Sequence, residues 1–121
     1  MNEIPAYVSS WTDKYFHHSA FDISLMYPNK KTIGFLTQFK KKRAVKLYRG
    51  LNKYNKEKEV ISSWTYNKEV AKNYAGEEGI VVRQNFKPEN IILDTTTLNC
   101  TQKKMLGYDY KVDDKEVIIF H

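Results

Sequence analysis

An α+β domain is the fold class this sequence predicts, on three observations. Aromatic residues recur at helical spacing in the first quarter of the chain. Short β-branched runs, bounded by turn residues, fill most of the remainder. A single helical repeat, Val70-Ala71 and Tyr74-Ala75, stands between two of those runs. Helices first, then about five strands with one helix among them, is an α+β order.

Tyr7, Trp11 and Tyr15 lie four residues apart and share one helical face, behind a Pro5 suited to a helix start. Pro28-Asn29 is a turn signal. Residues 1–43 therefore read as a helical N-terminal cover over a β-rich core at 44–121, the whole forming one domain of 121 residues. His17 and His18 are adjacent, so on a helix they point about 100° apart and do not converge on a metal ion. They read as structural or surface residues.

Residues 44–51 read as a strand and 52–59 as a polar loop. Residues 60–64 form a second strand, with Trp64 alternating away from Ser63 into the core. The helix that follows can be capped by Thr65 or Asn67 and ended by Gly76. Residues 79–86 alternate as a strand, 87–90 turn, and 91–94 form another strand. Residues 95–113 show little periodicity and read as a long loop of a functional or mobile kind. Residues 117–120 close the chain as a buried strand.

Hydrophobic residues make up 41% and aromatics 14%, more than a disordered chain carries. No apolar run reaches the roughly 20 residues that span a bilayer, and the first residues lack the regions of a signal peptide. A soluble, cytoplasmic protein is the default expectation. The lone Cys100 excludes an internal disulfide and a cysteine-rich metal site; it reads as a small, partly buried residue.

The formal charge of +6 is uneven. Residues 1–60 carry 12 basic and 5 acidic side chains, and residues 61–121 carry 8 and 9. The run Lys40-Lys41-Lys42-Arg43 suits phosphates, an acidic protein surface or, more commonly, a solvated loop or face. No nucleic-acid motif accompanies it. Lysine outnumbers arginine 17 to 3, a usage of AT-rich coding DNA as in many phages and low-GC bacteria.

Three segments carry chemistry together. They are Leu47-Tyr48-Arg49-Gly50-Leu51, then Ile61-Ser62-Ser63-Trp64-Thr65 before its helix, then Asp114-Lys115-Glu116 opening the last strand. Over about residues 44–120, this order resembles the arginine–serine–glutamate class of ADP-ribosyltransferases, in particular its small bacterial and phage members. The resemblance implies a small split β-sheet core and NAD+ as co-substrate, with no metal. It implies that Arg49 grips the pyrophosphate, that the Gly50 backbone holds the nicotinamide carboxamide, and that Ser63 bonds the ribose and orients the glutamate. Thr65 takes the motif's second hydroxyl place. Glu116 stabilises the oxocarbenium charge as the nicotinamide bond breaks.

Asp114 departs from the Glu or Gln frequent two residues before that glutamate, which puts arginine in doubt as acceptor. Tyr108 and Tyr110 fall where the family places a substrate-recognising loop. A protein target follows from the resemblance, in the host cytoplasm if the chain is phage-encoded. A second reading stays open: a catalytically weak or inactive binding protein or inhibitor of a host factor on the same fold.

Overall fold

The structure, a computed structural model, describes residues 4–17, 28–53, 55, 60–108 and 114–120. Four α-helices and five strands lie along them. The order is α1 (Ala6–His17), α2 (Lys30–Leu36), β1 (Val45–Leu51), β2 (Ile61–Thr65), α3 (Lys68–Ala75), β3 (Ile80–Phe86), β4 (Ile91–Asp94), α4 (Cys100–Met105) and β5 (Glu116–Phe120). The strands form one antiparallel sheet in the order β3-β1-β2-β5-β4. Among the described residues, no helix is long and apolar enough to cross a membrane.

The local signals explain the element ends. Asn29 and Asn67 each accept a backbone N–H at a helix start, and Gly76 closes α3 with a φ of 72°. Thr65, the other residue suited to cap α3, sits one step earlier: its hydroxyl accepts the N–H of Asn67 at 3.0 Å and donates to the Asp114 carbonyl. The aromatic repeat of α1 divides along its length. Tyr15 is buried and stacks on Trp11 at 5.2 Å, while Tyr7 stays exposed at the helix's first turn. Of residues 95–113, the described part, 95–108, is not a plain loop. It holds a 3-10 turn at Thr95–Thr97 and the short helix α4, whose N-terminal end is tied by an Asn99–Gln102 capping box. Polar capping, rather than an apolar period, makes that helix, so periodicity could not reveal it. Cys100 is exposed at its first turn, not partly buried.

Alternation along the strands sends side chains to both sheet faces, and each face builds a core. Ile61, Leu93 and Ile118 meet Val8, Tyr15, Leu36 and Leu106 beneath the N-terminal helices. Leu47, Trp64, Phe86, Val117 and Ile119 form the second cluster. Trp64 and Phe86 touch edge to face at 4.7 Å, although β1 lies between their strands, so the sheet curls over this face.

Asp94 is fully buried and keeps its place by accepting three hydrogen bonds, from the Tyr66 hydroxyl and from the N–H and hydroxyl of Thr96. The Tyr66 ring in turn carries Lys41 Nζ 4.3 Å above its centroid. Tyr66→Phe removes one donor from a buried carboxylate. The expected result is a loss of about 2 kcal/mol, read as a lower denaturant midpoint at unchanged slope.

Candidate functional site

Where β1 and β2 meet, the sheet is thin. Their ladder carries one register pair, Tyr48 with Thr65, whereas β1 and β3 pair over all seven residues of each strand. Continuing the register would bring Ser63 opposite Gly50. Instead the strands part, and Arg49 Nη1 donates to the Ser63 carbonyl at 2.9 Å. A side chain thus satisfies a backbone group that strand pairing leaves open. Arg49 is buried, at 7% exposure.

A cavity of about 320 Å³ opens at this seam. Its floor is β1, β2 and the start of β5; Tyr15 and Phe16 of α1 line it, as do Val70 and Tyr74 of α3. Arg49 and Gly50, Ser63 and Thr65, and Asp114 and Glu116, from three segments far apart in sequence, all line it. The pairing of Thr65 with Glu116 across β2 and β5 puts Glu116 on the same sheet face as Ser63.

Ser63 is the hub of this site. Its hydroxyl donates to Glu116 Oε2 at 2.6 Å and also lies 2.6 Å from the Tyr15 hydroxyl. Burial raises the Glu116 pKa from its ordinary 4.5 to about 7, the Ser63 hydrogen bond pulls it down, and the Asp114 charge adds to the rise. Near neutral pH both protonation states of this group are therefore populated. Asp114 Oδ2 accepts the Tyr74 hydroxyl at 2.8 Å. Burial and that carboxylate raise the Tyr74 pKa.

Gly50 makes room for a helix. A Cβ there would stand 2.0 Å from Ala71 O and 2.6 Å from Ala75 N, so its missing side chain is the space that α3 occupies. Its carbonyl accepts Asn55 Nδ2 at 2.9 Å, and Asn52 Nδ2 donates to Tyr74 O at 3.0 Å. These two asparagines tie the end of β1 to the cavity rim.

No family model, curated protein or solved structure matches the chain. The reading of the site therefore rests on its own residues.

Of the residues singled out in the sequence, Tyr108 stands apart from the cavity wall. It is buried, and its ring meets Phe16 edge to face at 4.9 Å. Burial, with the Glu116 charge nearby, raises its pKa to about 12. Tyr110 lies outside the described residues, as does His18. His17 meets the Gly107 carbonyl at 2.8 Å, a contact between α1 and the end of the α4 segment. Of the basic run, Lys40 is held by the Pro88 and Ile91 carbonyls and Lys41 by Tyr66, while Lys42 and Arg43 are exposed. No cluster of three His, Cys, Asp or Glu side chains suited to a metal is found among the described residues.

Sequence reasoning missed Tyr15 and Tyr74. The spacing of Tyr15 signals a buried face, and that of Tyr74 a helix face. Neither spacing says that its hydroxyl ends on a site residue.

Proposed function

We propose that this chain is an NAD+-dependent mono-ADP-ribosyltransferase acting on a protein target, with an ADP-ribosyltransferase-like fold. The observation that carries the reading is the 2.6 Å hydrogen bond from Ser63 to Glu116, in a cavity that Arg49, Gly50 and Thr65 also line. The strands make one five-stranded sheet, and its thin seam between β1 and β2, joined by one register pair, is what supports the split core that the resemblance implies.

The chemistry needs little more than these groups. The bond between ribose C1′ and the nicotinamide nitrogen breaks, and its electron pair leaves with a nicotinamide that becomes neutral. No general acid is required. The sugar gains oxocarbenium character, which the Glu116 carboxylate stabilises from a fixed position. A nucleophile of the target then bonds C1′ and loses its proton. At about 320 Å³ the cavity is at the lower end of ligand pockets, sized for the nicotinamide–ribose end of NAD+. Arg49, aimed by the Ser63 carbonyl, supplies a guanidinium for the pyrophosphate. Exposed Lys42 and Arg43 suit an acidic target surface.

Because the ionised form of Glu116 is the active one, kcat/KM for NAD+ rises with pH through an apparent value near 7 in the free enzyme. A profile flat from pH 5.5 to about 8.5 would contradict this role. The reading itself is tested with labelled NAD+ and a cell lysate, beside the Glu116→Gln variant. Label on protein bands that is lost in the variant supports it. A folded chain that neither binds nor consumes NAD+ overturns it, while binding without consumption turns it to a catalytically inactive binding protein.

A further inference from the structure

The Tyr15–Ser63–Glu116 contacts fix a direction that the separate hydrogen bonds do not state. Ser63 has one hydroxyl proton, and it goes to the Glu116 carboxylate. The proton between Tyr15 and Ser63 must then come from Tyr15. We infer that Tyr15 is a positioning residue of this site, a donor at the head of a Tyr15→Ser63→Glu116 chain through which the N-terminal helix sets the orientation and the proton affinity of the carboxylate. The inference bears on the site proposed above, but its test reads the carboxyl itself and needs no turnover.

The geometry supports a held donor rather than a chance contact. Tyr15 is 2% exposed. Its ring is stacked on Trp11 at 5.2 Å and met at its edge by Phe16 at 5.7 Å, so the hydroxyl has little freedom to leave Ser63. Both links are short, at 2.6 Å each. Donors in series polarise one another, so a donor to Ser63 strengthens the bond that Ser63 makes to Glu116. When Glu116 takes up its proton, the count reverses. The carboxyl can donate to Ser63, and Ser63 can turn its proton toward Tyr15. The chain therefore carries the protonation state of Glu116 to α1.

The other groups around Glu116 come from several elements. Asp114 lies two residues before it and raises its proton affinity, and Tyr74 of α3 donates to Asp114. The Tyr108 hydroxyl feels the Glu116 charge. Arg49 of β1 holds the Ser63 carbonyl. None of these supplies a donor to the Ser63 hydroxyl; that part falls to Tyr15.

The experiment follows the Glu116 carboxyl by carbon-13 NMR in the full chain labelled at glutamate, the signal being assigned with Glu116→Gln. Tyr15→Phe keeps the ring and removes the donor. Its Glu116 midpoint should move up by about half a pH unit. A 3-fluorotyrosine placed at position 15 alone is a stronger donor and should move the midpoint down. Opposite shifts establish the chain, since a packing role does not change sign between the two. An unmoved midpoint in both overturns it. Should Tyr15→Phe fail to fold, the fluorinated chain decides alone, and the absence of a downward shift overturns the inference.

Discussion

Glu116→Gln should lower NAD+ consumption by about 10²–10³ and, at pH 8, raise the stability of the chain. The two effects have one source. The carboxylate that stabilises a cationic transition state sits where its own charge is disfavoured. Its pKa is about 7 in the folded chain, against an ordinary value of 4.5, with burial the largest cause. Between those values the folded state binds the extra proton, so stability falls as pH rises. The favourable contribution is complete below about pH 4.5 and gone above about pH 7. Glutamine has no charge to desolvate and can still accept the Ser63 hydroxyl. The gain at pH 8 should be about 1–3 kcal/mol, shrinking toward zero near pH 4.5. Denaturant titrations of both chains at the two pH values measure it. A variant no more stable than its parent at pH 8 would mean the carboxylate is not held against its charge. Parental turnover in the variant would take Glu116 out of the chemistry.

Gly50→Ala should cost about 3 kcal/mol or more, because the added methyl group meets backbone that cannot easily give way. The methyl would enter the backbone of α3 at Ala71 and Ala75, not the end of a flexible side chain. The helix must then lift from β1. That lift carries Val70 and Tyr74 with it, and both line the cavity. Ligand affinity should therefore fall with stability. Gly34→Ala provides the control with the opposite sign. Gly34 lies exposed inside α2, where an added Cβ meets no atom within 4 Å. Alanine there should stabilise by about 1 kcal/mol through helix propensity. Thermal melts of the two variants compare them directly. A Gly50→Ala chain as stable as its parent would show that α3 does not press on β1.

Local patterns were legible wherever one element's own chemistry fixes it. Short β-branched and aromatic runs placed the five strands, and Asn67 with Gly76 bracketed α3. Trp64 lies in the core because strand geometry turns it away from Ser63. The α4 helix escaped notice because its six residues bury no side chain and so leave no apolar period. The candidate site divides the same way. Arg49, Ser63 and Glu116 could be named from motif order, and they do line one cavity.

Sequence by itself determined the strands, the caps and the residue types at the seam. Their partners were decided by tertiary structure alone. Only the fold sets Tyr15 beside Ser63, 48 residues away, and Tyr74 beside Asp114, 40 residues away. Only the fold converts the freedom of Gly50 into a seat for a helix. Only burial gives Glu116 a proton affinity near neutrality, because desolvation belongs to the packed chain and not to any stretch of it.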